Sequence, residues 1–134
     1  MNNMTAQPVT QEYPMGCGLA CVAFVLGKTY EETRILFQNP DNDKTVGFHY
    51  KDMVEALRKG GKSYDFKPVS SSTDLTLKKA GTIVYSVVCD HYRVKTEKGW
   101  MNPWINYPKM TPAISGFEAT LPSDPTWIIY ETDE

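Results

Sequence analysis

Residues 11–27 read QEYPMGCGLACVAFVLG, a turn around a proline followed by an apolar run that ends at a glycine. The run carries no charged side chain, so the sequence predicts a helix from about Gly18 to Leu26 that is buried on all sides. Gly27 is a favoured residue just past a helix end. A helix without a polar face must be covered all round, so we expect the rest of the chain to be built around it.

Length and composition indicate one globular domain over residues 1–134, with the polar residues 1–10 as a flexible leader. The chain has 134 residues, of which 41% are hydrophobic and 22% are charged, enough to bury a core. A net charge of −2 gives no broad basic surface for nucleic acid. We see no signal peptide, and the longest apolar run is too short to cross a bilayer. The sequence therefore predicts a cytoplasmic protein that binds neither nucleic acid nor membrane.

Local patterns place helices in the first half of the chain and strands in the second. Thr29 and Glu32 have the spacing of a capping box, which predicts a helix over residues 30–37 with an apolar side from Ile35 to Phe37. A third helix, around residues 53–57, ends at Gly60. We predict a short edge strand at 64–69, a weak helix at 70–77, strands at 82–88, 91–96, 100–104 and 127–130, and a proline-rich surface excursion at 107–125. Helices followed by antiparallel strands indicate an α+β fold, with the buried helix packed on the sheet.

Cys17 is a candidate nucleophile because it lies in a Gly-Cys-Gly corner at the start of the buried helix. Unpaired N–H groups and the positive end of the helix dipole favour a thiolate there. A free thiol, with a pKa of about 8.5, is mostly protonated at neutral pH and needs a base or a favourable field. Cys17 therefore requires a partner elsewhere in the chain.

The partners that we predict are His91, Asn102 and Gln11. His91 opens a predicted strand, and a turn at Gly99 brings Asn102 back alongside it. The amide oxygen of Asn102 would accept the Nδ1 hydrogen of His91 and hold the ring in one tautomer. Gln11, six residues before Cys17, would donate a side-chain N–H to an oxyanion, with the Cys17 backbone N–H as the second donor.

These residues resemble the papain-like cysteine peptidase superfamily in their chain order of cysteine, histidine and asparagine. The closer resemblance is to the peptidases that remove double-glycine leaders from bacteriocin precursors, and to free-standing domains related to them. It covers roughly residues 10–104 and rests on Gln11, on Gly16-Cys17-Gly18-Leu19-Ala20, on His91-Tyr92 and on Asn102-Pro103. Gly16 and Asn102 stand where those peptidases usually have aspartate.

The resemblance implies a papain-like fold and a peptide or protein substrate. It also implies hydrolysis of an amide bond through a thioester on Cys17, with no cofactor and no metal. Glutamine deamidases and transamidases share this chemistry and this fold, so both remain alternatives. An inactive module that binds a peptide is a further alternative.

Other interpretations of the same residues also remain open. Cys21 lies one helical turn after Cys17 and is expected in the core, and His49 is expected to be structural or solvated. Trp100 and Trp104 flank Asn102 and would either shield its contact with His91 or pack in the core. A zinc site of three cysteines and one histidine is the alternative to a nucleophile, with ligands Cys17, Cys21, Cys89 and His91. A Cys-x₃-Cys pair inside a continuous helix is not a usual zinc geometry.

Overall fold

The structure is a computed structural model that describes residues 7–70, 79–87, 90–109 and 112–132. Over these residues, three α-helices precede all six strands of an antiparallel sheet, which confirms the predicted α+β class. The helices are α1 (Cys17–Leu26), α2 (Tyr30–Thr33) and α3 (Tyr50–Lys59). Within the described ranges, no helix is long and apolar enough to cross a membrane.

Helix α1 is the buried helix that the sequence predicts. Its first nine residues, from Cys17 to Val25, are all buried. It ends at Gly27, which adopts a left-handed conformation with φ of 69° and donates its N–H to Phe24 O. Glycine has no Cβ to oppose this conformation, so it ends the helix at little cost.

Helix α2 begins with the predicted capping box but is shorter than predicted. Thr29 Oγ1 accepts the Glu32 N–H, and Glu32 Oε1 accepts the Thr29 N–H, each at 3.0 Å. The helix then tightens into a 3-10 turn over Arg34–Leu36. Ile35 is 85% exposed, so the expected apolar side is wrong at that position, whereas Phe37 is buried. A second 3-10 turn, Pro40–Lys44, follows.

Helix α3 is capped by His49, which gives this residue a structural role. His49 Nδ1 accepts the Lys51 N–H at 3.2 Å, and the Asp52 carboxylate accepts the His49 N–H at 3.0 Å. Both bonds satisfy N–H groups that have no partner within the helix. The apolar side of α3 packs into the core through Met53, Val54, Ala56 and Leu57.

The sheet has the strand order β1-β6-β2-β3-β4-β5. Its strands are β1 (Tyr64–Pro68), β2 (Ile83–Ser86), β3 (His91–Thr96), β4 (Gly99–Asn102), β5 (Gly116–Glu118) and β6 (Trp127–Glu131). Strand β1 lies at an edge, as predicted. Strand β5 pairs with β4 inside the segment predicted as a surface excursion, which corrects that prediction. The helix predicted at residues 70–77 lies almost wholly outside the described residues.

The two faces of the sheet belong to different apolar clusters. Tyr92, Val94 and Met101 pack in the large core around α1 and α3. Trp100 packs in a smaller cluster with Val84 and Ile128. Because side chains alternate along a strand, His91 and Asn102 point away from the face that carries Tyr92 and Met101. The core therefore fixes the two strands from one face, and His91 and Asn102 lie together on the other face.

Candidate active site

Cys17 is the first residue of α1 and is 9% exposed. Burial raises the pKa of its thiol to about 11; the Tyr92 N–H lowers that pKa, nearby Asp90 raises it, and the Gly18 N–H lowers it. The expected thiolate is therefore corrected, because desolvation of the buried sulfur outweighs the backbone N–H groups at the start of the helix. In this conformation Cys17 is a neutral thiol at pH 7.

The turn before Cys17 is held by a buried polar cluster. The Met15 N–H donates to Asp43 O at 2.8 Å. The Asp43 carboxylate, fully buried, accepts a hydrogen bond from Tyr30 Oη at 2.7 Å and another from Arg34. The pKa of Tyr30 is raised by burial and by Asp43, so Tyr30 remains protonated and donates. This cluster, made of Tyr30, Arg34 and Asp43, positions the turn that leads into Cys17 at the start of α1.

Gly16 has no side chain, and the hydroxyl group of Tyr30 occupies the space where a side chain would begin. A Cβ at position 16 would lie 2.1 Å from Tyr30 Oη, far below any real contact. We therefore expect Gly16→Ala to lower the free energy of unfolding by about 1–3 kcal/mol, the usual cost of overpacking, in urea unfolding. Tyr30→Phe removes the clashing oxygen, so the same Gly16→Ala change should cost at least 1 kcal/mol less in that background. Equal costs in both backgrounds would contradict the clash.

His91 and Asn102 are brought together by the hairpin of β3 and β4. The register pairs Val94 with Met101, which puts Arg93 opposite Asn102 and His91 diagonally beside it on the same face. His91 Nε2 lies 2.7 Å from Asn102 Oδ1. The predicted pairing is confirmed, but the nitrogen is Nε2 rather than the predicted Nδ1.

The Trp104 backbone determines which atom of His91 is basic. The Trp104 N–H donates to Asn102 Oδ1 at 2.9 Å, closing an Asx turn around Pro103. A backbone N–H can only donate, so the atom that it faces is the amide oxygen. His91 Nε2 must then carry the hydrogen that this oxygen accepts. The Nδ1 atom is therefore left with its lone pair, as a general base requires.

The surroundings of His91 keep its ring neutral at pH 7. Burial lowers the pKa of His91 most; the Asn102 hydrogen bond raises it, and the Arg93 charge lowers it further. Arg93 itself donates to Glu118 at 2.7 Å. Because the folded pKa lies below that of the unfolded chain, about 6.5, His91 stabilises the fold above that pH. This contribution is lost as the pH falls through the folded pKa.

Gln11 is buried but does not present its amide to the sulfur in this conformation. Its Nε2 donates to Tyr13 O and Pro14 O, each at 3.1 Å. Its backbone N–H donates to Pro103 O at 3.3 Å. Here Gln11 orders the turn before Cys17 and joins it to the Asx turn. Donation to an oxyanion, the predicted role, would require at least one of these side-chain bonds to be given up.

Two cavities meet at Cys17. The first, which we call the His91 cavity, has a volume of about 550 Å³ and is lined by residues that include Met15, Cys17, His91, Arg93, Trp104 and Tyr107. The second, which we call the aromatic cavity, has a volume of about 430 Å³ and is lined by residues that include Cys17, Tyr50, Asp52, Tyr85, Tyr92 and Trp127. Asp90 lines both. The sulfur therefore lies between two spaces, only one of which contains His91.

The structure describes only some of the ligands of the alternative zinc site. Cys21 is fully buried in α1, where the sequence predicted it, and is a free thiol like Cys17. Cys89 lies outside the described residues. In the described parts of the chain, no group of three or more His, Cys, Asp and Glu side chains is placed to hold a metal ion.

The sequence predicted only shielding or core packing for Trp104, whereas in the structure its backbone N–H also holds the Asn102 side chain. It is buried, its indole N–H donates to Lys109 O at 2.7 Å, and its ring lines the His91 cavity. The sequence Asn102-Pro103-Trp104 could have predicted the backbone N–H bond to Asn102, because Asn followed by Pro favours an Asx turn.

Comparison with known proteins adds no relative. No protein-family model matches the sequence, and no curated protein matches it. The functional argument therefore depends on the chemistry of the site.

Proposed function

We propose that this chain is a papain-like cysteine hydrolase that cleaves an amide bond, with a peptide or protein as substrate. One observation carries the proposal: Cys17 and His91 line the same cavity while the Asx turn leaves His91 Nδ1 as the basic atom of the ring. The resemblance in chain order of Cys17, His91 and Asn102 points the same way.

The proposed reaction begins with a neutral pair. The lowered pKa of His91 and the raised pKa of Cys17 both disfavour a preformed ion pair. Proton transfer from Sγ to Nδ1 therefore accompanies attack on the acyl carbon. Nδ1 returns this proton to the leaving nitrogen as the C–N bond breaks, which leaves a thioester on Cys17.

Water completes the cycle. His91 Nδ1 takes a proton from the attacking water, the new C–O bond forms, and the C–S bond breaks. The proton then returns to the sulfur, so the net reaction consumes one amide and one water and releases an amine and a carboxylic acid. Asn102 holds Nε2–H throughout, which keeps Nδ1 directed for both proton transfers. Release of ammonia from a glutamine side chain, or transfer to an amine, would use the same steps.

Alkylation tests the proposal, because Cys17 and Cys21 lie on one helix in one chain. We expect iodoacetamide to modify Cys17 before Cys21, as read by intact mass and peptide mapping, since Cys21 is fully buried and burial raises its pKa well above the usual range. We also expect His91→Ala to slow modification of Cys17 severalfold at pH 6–7, because the proton acceptor is gone. Cys89→Ser in all samples removes the third thiol as a competitor.

Two outcomes would contradict the proposal. Equal modification of both cysteines in the folded protein would mean that Cys17 has no special reactivity. An unchanged rate in His91→Ala would mean that His91 is not its base, and an inactive peptide-binding module would then be favoured.

A further inference from the structure

The aromatic cavity has a charge pattern that differs from that of the His91 cavity. Its described lining contains two carboxylates, Asp52 and Asp90, and neither lysine nor arginine. The His91 cavity contains Arg93 beside Asp90. A cation entering the cleft is therefore favoured on the side of Cys17 that lies away from His91.

The walls of this cavity are suited to a cation as well. The rings of Tyr50 and Trp127 stack at 4.3 Å and 19°, and both are only partly buried. The rings of Tyr85 and Tyr92, which pair across the neighbouring strands β2 and β3, lie 4.8 Å apart. The faces of aromatic rings attract cations, and this attraction adds to that of nearby carboxylates.

Asp90 is held in position in a way that exposes its charge to the cleft. It has a φ of 50°, the one positive value of a non-glycine residue in the described ranges. Aspartate is found in this conformation more often than most other non-glycine residues, so the turn suits it. Its Oδ1 accepts from Tyr85 Oη at 2.6 Å, and burial together with Asp90 raises the pKa of Tyr85 to about 12, so this donor stays protonated. The carboxylate is exposed and lies next to His91 in the chain.

The chemistry of the proposed reaction determines which side of the substrate lies in each cavity. His91 must deliver a proton to the leaving amine, so the leaving group lies in the His91 cavity. The acyl side of the substrate then lies in the aromatic cavity. We propose that the aromatic cavity binds the acyl side of the substrate and selects a lysine or arginine side chain there, held between Asp90, Asp52 and the rings of Tyr50 and Trp127. The direction rests on the proposed function, whereas selection of the cation does not.

Binding to a Cys17→Ala variant tests this selection without requiring catalysis. The ligands are N-acetylated, C-amidated hexa-alanine peptides with one lysine, placed at each position in turn, and a matched set with norleucine in place of lysine. We expect at least one lysine peptide to bind about tenfold more tightly than its norleucine counterpart by titration calorimetry, and this ratio to shrink at high salt. Asp90→Asn should remove most of the ratio while keeping the backbone, because asparagine tolerates positive φ.

Glu55→Gln provides the matched control. Glu55 is an exposed carboxylate on the same helix as Asp52 but lines neither cavity, so the ratio should be unchanged. Equal affinity of the two peptide sets, or no measurable binding of either, would overturn the inference. The inference would also be overturned if Glu55→Gln reduced the ratio of lysine to norleucine affinity as much as Asp90→Asn does. If the lysine peptides bind selectively but Cys17 of the native protein is unreactive in the alkylation test, the proposed hydrolase function is refuted and the proposed cation site is retained.

Discussion

Asn102→Asp should raise the pKa of His91 by about one to three units, because it puts a buried carboxylate where a neutral oxygen now accepts Nε2–H. Asn102 is 3% exposed, and its Oδ1 receives hydrogen bonds from both His91 and Trp104, so aspartate keeps both donors. The imidazolium, which the native site disfavours, is stabilised by the carboxylate. A proton NMR titration gives the pKa directly, since the chain has two histidines and His49→Gln assigns the signals.

This substitution opposes the pH dependence that His91 gives to the stability of the native protein. In the native protein the lowered pKa of His91 makes its contribution to stability present above about pH 6.5 and lost as the pH falls. In Asn102→Asp the raised pKa reduces this loss at low pH, and a folded pKa above the unfolded value would give stability that is present below the unfolded value and lost as the pH rises through the folded one. The same change should raise the rate at which iodoacetamide modifies Cys17 at pH 7, since a charged imidazolium favours the thiolate. A His91 pKa that does not rise would show that Asn102 does not control this ring.

Asp43→Ala should lower the free energy of unfolding by about 3 kcal/mol or more, because it removes one partner from a buried ion pair. The side chain of Asp43 has no exposed surface, and that of Arg34 is 14% exposed. Removal of the carboxylate leaves Tyr30 Oη without its acceptor and Arg34 without its buried partner. Urea unfolding measures the loss.

Asp41 provides the control within the same cluster. It also pairs with Arg34, at 2.6 Å, but its side chain is 77% exposed. Exposed ion pairs contribute about 0–1 kcal/mol, so Asp41→Ala should be nearly neutral. Similar losses for the two variants would mean that burial does not determine the strength of these pairs. Asp43→Ala should also make modification of Cys17 less selective, because the backbone carbonyl that accepts the Met15 N–H is no longer held in place by the bonds from Tyr30 and Arg34 to the Asp43 carboxylate.

The features that the sequence predicted correctly are those that depend on short stretches of the chain. The end of α1 at Gly27, the capping box at Thr29 and the hairpin that joins His91 to Asn102 all follow from residue types at short spacing. Strand β5 was missed because the prolines around it are typical of a loop. Its three residues are a strand only because β4 offers an edge to pair with.

The errors at the site have a common physical origin. The pKa of Cys17 was expected to be low because the helix N-terminus is visible in the sequence, whereas the desolvation that outweighs it comes from distant segments. The choice between the two nitrogens of His91 depends on a side-chain rotamer, and the bonds of the Gln11 amide depend on how the turn before Cys17 is folded. None of these has a local signature.

The hydrogen bond from the Gln11 N–H to Pro103 O joins the segment before Cys17, the proposed nucleophile, to the turn that contains Asn102, the partner of His91. Fluctuations that separate the two segments must break it, so the amide of Gln11 is a natural reporter of active-site opening in hydrogen exchange. Cys17 and Asn102 are 85 residues apart in the chain, yet this hydrogen bond connects the segments next to them directly. Opening of the cleft to admit a substrate is then expected at the side of the aromatic cavity, away from this link.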